Sequence, residues 1–362
     1  MPEPRLLFLH AMAPPFPGGT PIIVHRLLSR LDVDLDTVTA LTLRGRPGPR
    51  LPGRYHYFLP FPHYLDGRRA GRAIDAAGDM TLAVLAGVQA AAVARRRRSR
   101  WVLSVADRGF SLVAGDVAAR LAGVPHVIWV FDLWEENAYP EVDRWIAGRL
   151  ERGIWRRAAA ILGHDAEIAG EPPPPPRAAG GPREVLFGGA LYWAQEDALR
   201  RLSRVCRAMP DVRLTVIGDE RSARALGVEA DVFEAVLPPD EFRARVQAAD
   251  VAFLGLSFDS PYPDVIATAS PARLPECMAS ATPILVHAPA GSHVAEYARR
   301  GDFAEVVDRP DDAALAAGLR RVLDDRDAST MRARRARELA LERHDVVKVA
   351  ALLRVMLDDT RP

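Results

Sequence analysis

Cysteine is nearly absent from this chain of 362 residues. Cys206 and Cys277 lie far apart and outside any metal-type spacing, which argues against a disulfide framework and against a zinc site. An excess of charge is also missing, because 48 basic and 47 acidic residues leave a formal net charge of +1. No global electrostatic field therefore favours nucleic acid or an anionic membrane as a partner.

Long apolar runs are missing too. No stretch reaches the roughly 18 continuous apolar residues of a membrane span. The segment RLLFLHAMA (5–13) is short and lacks a preceding basic segment, so it is better interpreted as a first strand than as a secretory signal. We expect a cytoplasmic protein.

Apolar segments of strand length alternate with helical patterns along the whole chain. The predicted strands are residues 5–11, 37–43, 55–60, 101–106, 126–132, 159–164, 184–191, 212–219, 231–237, 251–256, 283–288 and 303–308. The predicted helices are residues 68–98, 111–122, 142–157, 195–208, 240–249, 271–280, 311–324, 328–342 and 346–359. Continuous apolar strands separated by helices indicate parallel sheets that are covered on both faces.

A proline- and glycine-rich segment, GEPPPPPRAAGGPR (170–183), interrupts this alternation. Consecutive prolines lack hydrogen-bond donors and hold the backbone extended, so the segment predicts a linker. The chain is also too long for one typical core. We therefore predict an α/β protein with two doubly wound domains, residues 1–168 and 184–342, joined by a linker (169–183) and followed by a C-terminal segment (343–362). Ligands of such sheets bind beyond the carboxyl ends of the strands.

The segment SPARLPECMASATPIL (270–285) combines a predicted helix start with two charges. Ser270 is a suitable cap and Pro271 suits the first helical position. Arg273 adds a permanently charged fork to an anion at such a helix start, and Glu276, one turn further on, can accept hydrogen bonds from sugar hydroxyls. This pattern suits a nucleoside diphosphate. The alternative is an ordinary capped helix with a surface Arg–Glu pair.

Glycine turns follow the first strand of each half. In APPFPGGTP (13–21), Gly18 and Gly19 permit close backbone approach to a ligand, and Thr20 can cap the next helix. This turn is not the dinucleotide fingerprint G-x-G-x-x-G, which argues against a Rossmann dehydrogenase. A proline/glycine turn without a ligand is the alternative.

In the second half, LFGGALYWAQED (186–197) places Gly188 and Gly189 in the equivalent position. Tyr192 and Trp193 follow and can cover a base or a sugar. VIGDE (216–220) ends a strand at Gly218, which can line a nucleobase pocket. No Ser/His/Asp, Cys/His, H-E-x-x-H, Walker or D-x-D metal signature is present.

The segment VFDLWEEN (130–137) ends a strand in acidic residues, where Asp132 is a candidate site residue and Trp134 a candidate stacking face. The alternative is a capping aspartate among surface acids.

The basic run RRRRSR (95–100) closes a long helix. It is either a solvated helix end or a basic patch, Arg95 to Arg100, that contacts anionic lipid or a charged acceptor.

Taken in order, these features resemble the GT-B glycosyltransferases, most closely the retaining glycosyltransferase family four with its P-x-K-x-x-E-Y-M-A-x-G-x-P-I-L block. The matching segments are SPARLPECMASATPILV and GSHVAEYA, and the likeness is specific mainly in residues 184–308. The resemblance implies two Rossmann-like domains facing across a cleft, the first binding the acceptor and the second a nucleotide-diphosphate sugar. It also implies that helix 346–359 crosses back to the first domain.

The resemblance also implies roles for single residues. Glu276 would hold the nucleotide ribose, and Arg273 stands where the block often has lysine near the diphosphate. Asp132 stands about where many members have a histidine or acid facing the donor sugar. Gly18 and Gly19 fall on the loop close to the phosphates.

The chain departs from the family pattern at two places. The motif has two glutamates eight positions apart, but Thr268 stands where the first is expected. The frequent Arg and Lys pair after the glycine turn is absent, since residues 190–196 read ALYWAQE.

The implied activity is transfer of a sugar, with retention and without a metal, from a nucleotide-diphosphate sugar to a hydroxyl of a glycan, lipid-linked or small-molecule acceptor. One alternative is an inactive GT-B homologue that serves as a partner or scaffold of a transferase. Another is a GT-B sugar-nucleotide epimerase, which usually needs more acids and histidines than can be assigned here.

Overall fold

The strand and helix alternation forms two units, Met1–His164 with Val346–Pro362, and Asp165–Asp345. The computed structural model describes residues 4–16, 19–58, 73–106, 109–131, 134, 141–163, 182–189 and 191–360. Each unit contains one six-stranded parallel sheet. The fold class predicted from the sequence, α/β with two doubly wound sheets, is confirmed.

The first unit has the strand order β3-β2-β1-β4-β5-β6. Its strands are β1 (Arg5–Leu9), β2 (Asp34–Ala40), β3 (Arg54–Phe58), β4 (Trp101–Ala106), β5 (His126–Val130) and β6 (Ala160–Leu162). Its helices are α1 (Gly19–Leu28), α2 (Ala73–Arg97), α3 (Phe110–Ala122), α4 (Glu141–Arg157) and α13 (Val346–Asp359). Residues Leu6–Leu9 of the central strand are fully buried, as a sheet with helices on both faces requires.

The second unit repeats this order as β9-β8-β7-β10-β11-β12. Its strands are β7 (Arg183–Gly188), β8 (Val212–Ile217), β9 (Val232–Glu234), β10 (Val251–Gly255), β11 (Ile284–His287) and β12 (Glu305–Val307). Its helices are α5 (Glu196–Arg207), α6 (Glu220–Ala225), α7 (Pro239–Ala248), α8 (Pro263–Thr268), α9 (Leu274–Ala279), α10 (His293–Gly301), α11 (Asp312–Asp324) and α12 (Arg326–Arg343). Both units thus have the doubly wound order 3-2-1-4-5-6, which creates a ligand crevice where the crossovers diverge.

Strand β2 begins three residues before its predicted start because two aspartates are accommodated inside the sheet. Asp36 is fully buried and accepts hydrogen bonds from His56 Nε2 at 2.7 Å and Arg97 Nε at 3.0 Å. Asp34 accepts one from Arg5 Nε at 2.8 Å. Paired carboxylates can lie where the sequence pattern expects apolar residues.

The C-terminal helix α13 lies on the first unit, against α1. Arg354 Nη1 donates to the carbonyl oxygen of Asp32 at 2.6 Å, and Asp358 lies 3.8 Å from Arg100 Nη1.

Thr20, predicted to cap α1, instead lies within its first turn, because the helix already includes Gly19. In the described part of the chain no helix combines the length and the apolar character needed to cross a bilayer.

His126 gives the first unit a predictable response to acid. It is buried on β5, its Nε2 lies 2.8 Å from Ser104 Oγ, and burial lowers the pKa of its imidazole to about 4. Between pH 6.5 and 4 the unfolded chain binds a proton that the folded chain does not, so the free energy of unfolding falls as the pH falls. We expect His126 to contribute a loss of about 2 kcal/mol at pH 5 and none above pH 7.

Thermal unfolding of His126→Gln across pH 7 to 4.5 checks this expectation. The variant should lose part of the acid sensitivity of the unmodified protein while the rest remains, because His287 in the second unit also has a pKa lowered by burial to about 4. Identical pH profiles for both proteins would contradict a neutral buried His126.

Candidate functional site

The crevice of the second unit lies between β7 and β10, the neighbouring strands whose crossovers diverge. β7 ends at Gly188 and β10 at Gly255. The segments that follow these strands are joined by Ser257, whose backbone N–H donates to Ala194 O and whose Oγ donates to Trp193 O, both at 2.8 Å. In open α/β sheets, this is the position at which ligands bind.

Arg273 places a cation in this region. Its guanidinium lies 5.0 Å from the centroid of the Phe187 ring and packs directly against Gly189, where an added Cβ would lie 1.6 Å from Nη2. Its Nη1 is buried and has no hydrogen-bond partner among the described residues. Burial lowers the pKa of this guanidinium, while Cys277, Tyr192 and Glu276 act in the opposite direction. Arginine nevertheless stays protonated at neutral pH.

A buried charge at the other end of the same sheet shows what a purely structural arrangement looks like. Glu184 is the second residue of β7 and accepts hydrogen bonds from Thr215 Oγ1 at 2.6 Å and from Arg245 Nη2 at 3.2 Å. Burial acts to raise the pKa of Glu184, but the hydrogen bonds from Arg245 and Thr215 outweigh it and lower the pKa. Glu184 is therefore compensated inside the protein, whereas the Nη1 of Arg273 is left for a partner from outside.

The structure brings three predicted glycines together near Arg273. Gly189 has φ +126°, a value that side chains rarely tolerate, and its N–H donates to Ile217 O at 2.9 Å. An added Cβ on Gly218 would lie 2.9 Å from Gly189 O. A Cβ on Gly188 would lie 2.2 Å from the Phe242 ring, so that glycine is required by internal packing. The turn residues Gly189 and Gly218 thus form one surface beside the guanidinium.

The predicted helix start at Ser270 is wrong. Helix α9 begins at Leu274, Arg273 occupies its N-cap position, and no side-chain cap is formed. The reason is Pro275, whose nitrogen carries no hydrogen and cannot donate to the carbonyl of Pro271, as a helix beginning at Pro271 would require. That carbonyl instead accepts from Leu274 N at 2.8 Å in a tight turn. With only six residues, α9 is too short to act as the long helix whose N-terminus was expected to face an anion.

Glu276 lies in the first turn of α9 and is only 8% exposed. A solvent-exposed Arg–Glu pair, the alternative interpretation of this segment, does not fit a carboxylate buried to that extent. Glu276 also interacts electrostatically with Arg273. The segment therefore holds an anionic and a cationic side chain inside one short turn and helix, next to the crevice.

Aromatic residues border the same region. Tyr192 is 45% exposed, and the Trp193 ring packs edge-on against Tyr262 with centroids 4.8 Å apart. Tyr262 and Phe187 were not predicted as site residues, since neither belongs to a recognisable motif and Tyr262 reaches Trp193 only through the fold. Exposed aromatic faces of this kind can stack on a base or a sugar.

The N-terminus of α5, the helix that follows β7, is already supplied with negative charge. Glu196 and Asp197 lie in its first turn, and the Asp197 carboxylate accepts from Phe258 N at 3.1 Å. Two carboxylates at this position offset the helix dipole and disfavour an anion there. A phosphate in the crevice would therefore depend on Arg273, and not on the N-terminus of α5, for positive charge.

The predicted site residues Gly18, Gly19 and Asp132 fall in the first unit, whereas Thr268 falls in the second. Gly18 and Asp132 lie outside the described residues, so their roles stay predictions. Gly19 is exposed at the start of α1. Thr268, at the position of the missing glutamate, ends α8, is exposed, and donates from Oγ1 to Asp264 O at 3.1 Å.

The two doubly wound sheets in one chain define the GT-B fold of glycosyltransferases. The chain is similar to sucrose-phosphate synthase from Thermosynechococcus elongatus, with 14% identity, 98% coverage of both chains and a TM-score of 0.68. It is similar to Anabaena HepE in complex with UDP, with 13% identity, coverage of 98% and 100%, and a TM-score of 0.67.

A third similar structure is the glycosyltransferase SnogD from Streptomyces nogalater, with 16% identity, coverage of 98% of this chain and 99% of that chain, and a TM-score of 0.58. No protein-family model and no curated protein matches the chain. At these identities the likeness establishes the fold, so the activity has to be argued from the site.

Proposed function

We propose that this protein is a glycosyltransferase whose second unit binds a nucleotide-diphosphate sugar and whose first unit binds a hydroxyl-bearing acceptor. One observation carries the proposal: the buried guanidinium of Arg273, with an unpartnered Nη1, lies at the ligand crevice of a doubly wound sheet. A diphosphate supplies the hydrogen-bond acceptor and the negative charge that this cation lacks. The UDP complex of Anabaena HepE, a protein of the same fold, supports this class of ligand.

The chemistry we propose is transfer with retention. The bond between the anomeric carbon and the β-phosphate oxygen breaks, and negative charge accumulates on the departing diphosphate. The acceptor oxygen forms the new bond to the anomeric carbon on the same face, and its proton passes to the departing phosphate oxygen. Arg273 would stabilise that charge in a site shielded from water, where such stabilisation is strongest. Because a fixed guanidinium offsets part of the negative charge of the leaving group, we propose that transfer does not depend on a divalent cation. Asp132, on the sequence resemblance, would face the sugar and stabilise its positive charge.

The nucleotide proposal is tested first by thermal shift with a panel of nucleoside diphosphates, because a ligand that binds the folded state raises its stability. Calorimetry then gives the affinity of each hit. A shift with at least one nucleoside diphosphate and none with the matching nucleoside is the expected result. No binding to any diphosphate would remove the basis of the proposed function.

Glu276→Ala tests the proposed ribose contact. We expect nucleoside diphosphate affinity to fall about 10- to 100-fold, the effect of losing hydrogen bonds to a charged group. The 2′,3′-dideoxy form of the best nucleotide should bind the unmodified protein more weakly, and Glu276→Ala should not weaken it further. Glu296→Ala is the matched control, since Glu296 also lies in the first turn of a helix of this unit but is exposed. Unchanged affinity in Glu276→Ala would show that the ribose assignment is wrong.

Sugar transfer separates the active enzyme from an inactive scaffold. The scaffold alternative is favoured by Thr268 and by the absence of lysine and arginine from residues 190–196. An active transferase releases nucleoside diphosphate from its donor, and NMR of the product should show the anomeric configuration of the donor, with equal rates in the presence of a chelator. Binding without any release identifies the scaffold, and conversion of the donor to an isomeric nucleotide sugar identifies an epimerase.

A further inference from the structure

Helix α2 of the first unit exposes an apolar surface where a soluble protein normally has polar residues. Val84, Leu85 and Val88 are 44%, 56% and 47% exposed, and Ala92 is exposed one turn later. The spacing i, i+1, i+4 and i+8 places these four residues, here named the apolar stripe, on one face of the helix. Residues 80–94 contain no charged side chain, so no charge on this part of α2 interrupts the stripe.

Arginines continue the same face at the C-terminal end of the stripe. Arg95 and Arg96 follow Ala92 at i+3 and i+4 and are both exposed. Arg97 and Arg100 do not contribute to this surface in the same way, because they form ion pairs with Asp34, Asp36 and Asp358, as described above. The run RRRRSR is thus divided. Arg97 and Arg100 are held in ion pairs, whereas Arg95, which also donates from Nη2 to the carbonyl oxygen of Leu121, and Arg96 are exposed on α2.

A cleft of about 350 Å³ opens beside the stripe, between β3 and α2. Its lining includes Ala92 of the stripe, Arg96, and the polar residues His56, Tyr57 and Gln89. This concave, partly basic space next to exposed apolar side chains is large enough for a phosphate headgroup.

We propose that this face of α2, the apolar stripe together with Arg95 and Arg96, docks on a bilayer that contains anionic phospholipid. Exposed valine and leucine side chains favour the acyl boundary, and arginines at the end of the stripe favour a negatively charged surface, which is the composition of an interfacial helix. Helix α4, which contacts α2, also exposes Trp145, and the Arg149 guanidinium lies 4.0 Å from the centroid of that ring. Tryptophan and arginine are both suited to the interfacial layer.

Charge complementarity distinguishes this occupant from a second copy of the chain. A second copy would bring Arg95 and Arg96 of both chains close to one apolar patch, with no acidic residue between residues 80 and 94 to offset them. An anionic lipid surface satisfies the apolar and the basic parts of the face together. The proposal is independent of nucleotide binding.

Co-sedimentation of the full chain with phosphatidylcholine vesicles, with and without phosphatidylglycerol, tests the proposal. The protein should bind the anionic vesicles, bind neutral vesicles at least tenfold more weakly, and be released by raised salt. Arg95→Gln with Arg96→Gln should lower the partition coefficient about 25-fold, at about fivefold for each arginine. Val84→Gln, Leu85→Gln and Val88→Gln together should lower it at least about tenfold.

Two control variants match these changes. Arg334→Gln with Arg335→Gln removes two consecutive exposed arginines from α12, and Val236→Gln with Met331→Gln removes two exposed apolar residues of the second unit. Neither should change vesicle binding, and all variants should keep their melting temperatures within a few degrees because the residues are exposed.

Three results would overturn the proposal. The first is no binding to anionic vesicles, and the second is equal binding to neutral and anionic vesicles. The third is concentration-dependent self-association that the stripe variant abolishes in the absence of lipid, which would assign the face to a second copy. None of these results affects the nucleoside diphosphate measurements, so failure here is separate from failure of the proposed function.

Discussion

Arg273→Met should stabilise the ligand-free protein and at the same time destroy its nucleotide site. The substitution removes a buried charge whose Nη1 has no partner among the described residues, and it keeps an unbranched side chain of similar reach against Phe187. Replacing a poorly compensated buried ion by an apolar group is often stabilising, so we expect a gain of about 1–2 kcal/mol in the free energy of unfolding. Nucleoside diphosphate affinity should fall about 100-fold, because a buried charged hydrogen bond to the ligand is lost.

Denaturant unfolding and calorimetry measure both effects on the same sample. Arg334→Met is the control, since Arg334 is exposed on α12 and its replacement should change neither quantity. A large loss of stability in Arg273→Met would mean that the guanidinium supports the fold, and unchanged nucleotide affinity would mean that the phosphate lies elsewhere. A residue that is kept for binding at a cost in stability should show this combination, in which its replacement raises the free energy of unfolding and lowers the affinity for the nucleotide.

Most of the fold could be predicted from local sequence patterns. All twelve predicted strands are present, because buried parallel strands produce apolar runs that are easily recognised. The short helices α6, α8 and α10 were not predicted, since six to nine residues give too few turns for a clear period. The displaced start of β2 shows a second limit, because Asp34 and Asp36 are neutralised by arginines distant in sequence, Arg5 and Arg97.

The candidate site was predicted in outline rather than in detail. The glycine turns and the 270–285 segment were recognised as candidates, but their internal geometry depends on contacts that one segment cannot reveal. Pro275 moves the helix start from Pro271 to Leu274, and the fold, not a motif, brings Phe187 beneath the Arg273 guanidinium. Gly188 was predicted to admit a phosphate, yet its free space is filled by the ring of Phe242. The types of residue were therefore informative, whereas their contacts had to come from the tertiary structure.

Gly189→Ala adds only one methyl group, yet we expect it to be the most damaging small substitution at the site. At φ +126° an alanine costs about 1–3 kcal/mol in backbone strain. Its Cβ would also lie 1.6 Å from Arg273 Nη2, so the flexible guanidinium has to leave its place. We expect nucleoside diphosphate affinity to fall as far as in Arg273→Met, although the arginine is still present. Calorimetry measures that loss, and denaturant unfolding measures the strain.

Gly227→Ala and a double-variant cycle separate strain from displacement of the guanidinium. Gly227 also has a positive φ, +71°, but its Cβ would meet only the Arg200 side chain at 3.4 Å, an ordinary contact. It should lose about 1 kcal/mol of stability and keep its nucleotide affinity. In the Arg273→Met background, Gly189→Ala should cause no further loss of affinity, because both changes remove the same interaction. Additive losses of affinity in the double variant would show that Gly189 contacts the nucleotide independently of Arg273, and the shared surface inferred for these two residues would then be wrong.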